Sequence, residues 1–186
     1  MQYDLVALDA FSSGQLGSKI WLADELVNYV NLDEPQRIWL LGGWYAVTNN
    51  ILSIKNFPIE HVVSFDIDPA VANVACKINK LWHWHGRFSA ITQDINTIQY
   101  TNPLPHIVIN TSVEHIKSHD WFNNIPAGIL VVLQSNNMDH DDHHVHHNSV
   151  DELVKDYPMS QVLYTGGRRF DYDTWSFTRW MVIGIK

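Results

Sequence analysis

Apolar and polar positions along the chain alternate as strands and helices do. The run 38–41 (IWLL) is apolar and stops at Gly42-Gly43. Val47, Ile51 and Ile54 then recur at the i, i+4, i+7 spacing of one helical face, and Pro58 follows. A second apolar run, 61–65, closes on Asp66-Ile67-Asp68-Pro69. Asp68 suits the N-cap of the next helix and Pro69 its first turn, with Val71, Val74, Ala75 and Ile78 on one face. Upstream, Ile20, Ala23, Val27 and Val30 predict a helix over about 18–31, with Ser18 as its cap. Before it lie a short apolar segment at 5–7 and a serine- and glycine-rich stretch, 12–17, that reads as a turn.

Downstream, 81–86 (LWHWHG) reads as an aromatic connection under the sheet, and 87–92 as a third strand ending near Gln93-Asp94-Ile95. The run 106–109 predicts a fourth strand leading into Asn110, Glu114 and His115. Residues 117–124 suit a short helix with Trp121 inward. The most apolar run, 128–133 (GILVVL), predicts a central strand covered on both faces. A helix over 149–157 follows, then two strands, 161–165 and 176–185, around Gly166-Gly167 and a polar-aromatic loop, 168–175. No helix-length segment separates that last pair, so it should form an antiparallel hairpin within 160–186. The expected fold is α/β, a Rossmann-like three-layer sandwich with a mostly parallel sheet and an antiparallel C-terminal strand. Over 186 residues it is expected to make one domain.

Composition narrows the function. The formal charge is −8 and the densest basic cluster is Arg168-Arg169, so a nucleic-acid backbone is a disfavoured partner. The single cysteine, Cys76, lies among apolar helix positions and permits no internal disulfide. Without a long apolar segment or a secretory leader pattern, the expectation is a cytoplasmic chain with no membrane partner. The pattern does not address oligomeric state.

A glycine turn after one strand and a carboxylate ending the next is how α/β proteins hold a nucleoside cofactor. Gly42-Gly43 and Asp66 stand at that spacing. Adding the covering helix, the acid after the third strand and the closing hairpin, the chain resembles the class I S-adenosylmethionine-dependent methyltransferases over nearly its whole length. More narrowly, SGQLGSKIWL, LLGGWYA, SFDIDP, INTSVEHI, VVLQSN and RWMVIGIK resemble a group of small phage and bacterial methyltransferase-like proteins.

The resemblance implies S-adenosylmethionine as cofactor and a small molecule or another unidentified group as methyl acceptor. It implies Gly42 and Gly43 under the methionine part, Asp66 on the ribose hydroxyls and Ile67 against the adenine. Asp94 would accept from the adenine amino group with Ile95 beside it, and Asn110 would face the methylsulfonium. Ser18 and Lys19 would help hold the cofactor carboxylate. The chain departs from the family where Trp44-Tyr45 replace the usual third glycine, which narrows the cofactor's amino-acid end or caps the pocket.

Candidate catalytic groups are Glu114, His115, Asn110 and Tyr45. Glu114 and His115 also suit local bonding at a helix start. Candidate acceptor contacts are Gln134 and Asn136, with Ser135 between them, and His144. The stretch 134–148 (QSNNMDHDDHHVHHN) carries metal-ligand residue types but no defined metal spacing, so a solvated lid is the expectation and no metal site is assigned. Three other readings stay open: a metal-binding or metal-dependent protein of the same fold that uses this loop, with one ligand from it and another from Glu114 or His115; a nicotinamide-dependent oxidoreductase; and a non-catalytic binding module. The second lacks the three-glycine fingerprint.

Overall fold

The computed structural model describes residues 6–186, so the apolar segment at 5–7 lies partly outside the described residues. In chain order the elements are α1 (Val6–Asp9), α2 (Ser13–Leu26), β1 (Gln36–Leu41), α3 (Val47–Ile54) and β2 (Ile59–Asp66). Next come α4 (Pro69–Ile78), α5 (Lys80–Trp84), β3 (Phe88–Thr92), β4 (Ile107–Asn110) and α6 (Asp120–Asn123). β5 (Leu130–Asn136), α7 (Val150–Asp156), β6 (Gln161–Asp171) and β7 (Ser176–Ile185) complete the chain.

Among the described residues the strands form one seven-stranded sheet, ordered β3-β2-β1-β4-β5-β7-β6. β1 to β5 run parallel to one another. β7 inserts between β5 and β6 and runs antiparallel to both. Strand periodicity of two sorts the core onto two faces. Ile38, Leu40, Ile107, Ile109 and Val132 pack with Leu22 and Leu26 of α2. Leu41, Val108, Val131 and Leu133 face Trp121, Leu153 and Tyr157 on the other side. Every residue of β5 is buried, which explains its unbroken apolar run.

Three local expectations are corrected. α2 begins at Ser13, and Ser18 lies inside it, its hydroxyl donating to the Gln15 carbonyl at 3.0 Å. The glycines that suggested a turn are packing sites: a Cβ on Gly14 would meet Tyr172 and Phe177, and one on Gly17 would meet Phe170. Their missing side chains seat the aromatic face of the C-terminal hairpin. Gly166-Gly167 likewise does not end a strand. β6 continues to Asp171 because Gly166 admits Tyr164 and Trp21, and Gly167 admits Trp180. Finally, the 81–86 stretch is only partly under the sheet, Trp82 alone of its tryptophans packing against the core. Its first part is the short helix α5, with Leu81 and Trp84 exposed and Lys80 Nζ 4.4 Å over the Trp84 ring.

Asp68 caps α4 by accepting from the Ala70 amide at 2.8 Å, with Pro69 in the first turn. Among the described residues no helix is long and apolar enough to cross a membrane.

Candidate functional site

The parallel strands end along one edge of the sheet. Strand order reverses between β1 and β4, and a crevice opens there, as it does in open α/β sheets. It is a cavity of about 790 Å³. Gly42 to Tyr45 after β1, Asp66 and Ile67 after β2, and Asp94 to Asn96 after β3 form one side of its lining. Thr111, Ser112 and His115 after β4, and Met138, His140, Asp142, His143 and His144 after β5, contribute further wall. Gln15 and Lys19 reach it from α2.

The turn after β1 is tightly wound. Gly42, Trp44 and Ala46 all take left-handed backbone angles, with φ of +62°, +47° and +52°. Such angles are cheap for glycine and cost a non-glycine residue about 1–2 kcal/mol. The turn is held by the Trp44 amide, which donates to Asp66 Oδ2 at 2.9 Å, and by the Gly43 amide, which donates to the Phe65 carbonyl at 3.0 Å. Trp44 therefore accepts the strained angle that a third glycine would take freely, and its ring stacks on Tyr45 at 4.7 Å. Gly43 has no room for a side chain, because a Cβ there would overlap the Ser64 hydroxyl. Gly43→Ala is expected to destabilise the chain by about 1–3 kcal/mol. Pairing it with Ser64→Gly should recover most of that loss, read as the midpoint of urea unfolding.

Asp66 Oδ1 accepts from the Asp68 amide at 3.1 Å, so each carboxylate oxygen has one backbone donor. A carboxylate has about four acceptor positions, which leaves capacity toward the cavity. Asp94 Oδ1 accepts from the amide and side chain of Asn96, both at 2.9 Å. Ile67 is exposed on the cavity wall, whereas Ile95 is buried at its edge.

Lys19 is buried, and its Nζ donates to Gln15 Oε1 at 2.6 Å. Burial first, then Arg179, lowers its pKa from the ordinary 10.5 to about 7, against opposing pulls from Glu114 and Asp9. The unfolded chain thus binds more protons than the folded one between about pH 7 and 10.5. Stability contributed by this group rises with pH across that window.

Several expected site residues do not line the cavity. Ser18 is buried inside α2. Asn110 is fully buried, its Oδ1 accepting from the Ser112 amide at 2.9 Å; Thr111 and Ser112 line the wall in its place. Gln134 is buried against α2 and donates to the Ser18 carbonyl at 3.0 Å. Glu114 and Asn136 are buried and bonded to each other through Oε1 and Nδ2. Arg179 Nη1 lies 3.5 Å from the same Oε1 and donates to the Thr111 carbonyl at 3.1 Å. Ser135 Oγ lies 2.7 Å from His147 Nδ1, whose ring reaches Asp156 through Nε2 at 3.2 Å. That chain ties the end of the histidine-rich loop to β5 and α7, and burial lowers the His147 pKa despite Asp156.

The loop after β5 is bound to the segment after β4. The His144 and Val145 amides donate to the Glu114 carbonyl at 2.7 and 3.1 Å. His115 Nδ1 lies 3.1 Å from the Asp142 carbonyl, and His143 Nδ1 lies 2.9 Å from the Met138 carbonyl. Burial lowers the His143 pKa, with the Met138 contact opposing. The sequence points to His144 as the acceptor contact and to His143 only as one of several loop residues of metal-ligand type, while Gln15 and Ser112 carry no local signal and only packing reveals their positions.

No protein-family model matches the chain, and no curated protein matches it in sequence. Its fold is nevertheless shared with solved structures. One is a candidate sarcosine dimethylglycine methyltransferase from Galdieria sulphuraria, with TM-score 0.66, 12% identity, and 92% of this chain and 86% of that one covered. Another is the S-adenosylmethionine-dependent methyltransferase SibL, with TM-score 0.58 and 15% identity over 92% of this chain and 57% of that one. The [4+2]-cyclase SpnF also shares it, with TM-score 0.62 and 10% identity over 80% and 60%. At these identities the likeness establishes the fold alone, one that methyltransferases and a cyclase share, and leaves the chemistry to the site.

Proposed function

We propose that the chain is an S-adenosylmethionine-dependent methyltransferase acting on a small molecule or another acceptor not yet identified. The observation that carries this reading is the convergence of Gly42-Gly43, Asp66 and Asp94 on one cavity at the sheet's reversal point. The tight turn at Gly43 and the spare acceptor positions on Asp66 fit a nucleoside with vicinal hydroxyls. When bound, the cofactor supplies an electrophilic methyl group.

The chain's own residues then bind and orient. Gly42 and Gly43 would carry the amino-acid end, and Asp66 would accept from the ribose hydroxyls. Ile67 would cover the adenine and Asp94, with Ile95, would read its amino group. Lys19 would face the cofactor carboxylate. Tyr45 and Trp44 would close the wall beside the reacting centre. Displacement at a methyl carbon depends chiefly on alignment and exclusion of water. His115 and His144 line the wall; His115, while its ring is free of other ligands, would take a proton from an acceptor, and His144 would contact it. Glu114, Asn110, Gln134 and Asn136 lie behind the wall and would act by positioning.

The formal charge of −8 favours an acceptor other than a nucleic acid. The cyclase on the same fold supports a second reading, in which the chain binds the cofactor and catalyses another reaction.

Calorimetry with S-adenosylhomocysteine and with NAD tests the proposal. Binding of the former and not the latter is expected. Because a bound carboxylate raises the Lys19 pKa, complex formation at pH 8 should take up close to one proton. Affinity should then fall by up to about tenfold per pH unit above pH 7. Lys19→Met should remove the proton uptake. A folded sample that binds neither ligand overturns the reading.

A further inference from the structure

Glu114, His115 and His143 each present a ligand atom within 4.8 Å of the other two. Two further observations make this a built site. First, Glu114 is 2% exposed, and its Oε2 is buried with no hydrogen-bond partner among the described residues. Its Oε1 is already taken by Asn136 and Arg179. A buried carboxylate oxygen left unpaired is costly and calls for a partner. Second, both imidazoles are oriented from behind. Nδ1 of His115 and Nδ1 of His143 each meet a backbone carbonyl, which only accepts, so each Nδ1 carries the hydrogen. The lone pair of each neutral ring is then on Nε2. That is how ligating histidines are usually held, the outer N–H on a carbonyl and the inner nitrogen toward the ion.

We propose that Glu114 Oε2, His115 and His143 bind one divalent transition-metal ion on the cavity wall. Two imidazoles and one carboxylate suit Zn²⁺ or Fe²⁺; Ca²⁺ and Mg²⁺ prefer all-oxygen sets. Arg179 Nη1, 3.5 Å from Glu114 Oε1, opposes any cation there, so the coordinate bonds of the two imidazoles have to outweigh that repulsion. Zn–N bonds of about 2.0–2.1 Å bring ligand atoms to roughly 3.3 Å apart, so atoms that now lie within 4.8 Å of one another need only a small approach to bind. Three protein ligands leave coordination positions open, and His115 and His143 line the cavity. An oxygen-bearing acceptor would occupy them; that role, though not the site, rests on the methyl-transfer reading.

The test is titration of chelator-treated, untagged full-length protein with Co²⁺, followed by its visible absorption, then displacement with Zn²⁺. One ion per chain is expected. His115→Ala and His143→Ala should each weaken binding at least about 100-fold, since even outer partners of ligands are worth 10- to 100-fold. His115 is exposed and His143 half-buried, and thermal unfolding verifies that the variants are folded. His146→Ala and His85→Ala should change affinity less than about threefold. Absence of stoichiometric binding overturns the site, as does binding that survives both ligand variants or is lost with His146→Ala. No cofactor is present in the titration. A chain that binds Co²⁺ through these residues but not S-adenosylhomocysteine keeps the site and loses only the methyl-transfer reading.

Discussion

Asp66→Ala is expected to weaken S-adenosylhomocysteine binding by roughly 100- to 10,000-fold. Hydrogen bonds to a charged group contribute about 1.5–3 kcal/mol each, and Asp66 would make two to the ribose. The residue also holds the turn, accepting from the amides of Trp44 and Asp68. Loss of affinity therefore has two components, which two further variants separate. Asp66→Asn keeps one acceptor oxygen for the turn but removes the charge, and should cost an intermediate amount. Asp68→Ala removes the α4 cap, about 0.5–2 kcal/mol of stability, and leaves the ribose acid in place. Its affinity should stay within about threefold of the parent chain. Calorimetry on samples with matched circular dichroism reads all three. Unchanged affinity in Asp66→Ala would mean that the crevice at the sheet's reversal point is not the nucleoside site.

The largest effect on stability is expected at Arg179. It is 5% exposed and Glu114 is 2% exposed, so the pair is withdrawn from water. Breaking such a pair from one side leaves an uncompensated buried charge and costs about 3–5 kcal/mol. For a chain of this size that is a fall of roughly 6–20 °C in the unfolding midpoint. Arg179→Met should show it. The double variant Glu114→Gln with Arg179→Met removes both charges and should recover most of the loss. Urea unfolding of the two singles and the double gives the coupling directly. A single variant within about 0.5 kcal/mol of the parent chain would show that the pair does not act as a buried unit.

Much of this architecture is legible from neighbours in the sequence. The cap at Asp68-Pro69, the face of α3 and the apolar run of β5 depend on residues a few positions apart, and the pattern carries them. The spacing of Gly42-Gly43 and Asp66 identifies a crevice for the same reason: one βα unit separates them. Errors arose where a residue's partner is distant in sequence. Gly14 and Gly17 read as turn formers, yet each is small because an aromatic ring of the β6–β7 hairpin rests on it. Residues 134–136 read as wall because they end a strand at the ligand edge, yet β7 and α2 cover them.

The sequence by itself determined the alternation of elements, the parallel sheet with its antiparallel ending, and the glycine and acid positions at strand ends. Those follow from periodicity and local turn chemistry. Tertiary structure alone decided which polar side chains share space. The β5–β7 register sets Asn136 opposite Arg179, and that pairing brings Arg179 beside Glu114. The loop after β5 then folds back on the Glu114 carbonyl and sets His143 against His115. No local pattern encodes those contacts, because each joins segments whose distance is fixed only when the sheet closes.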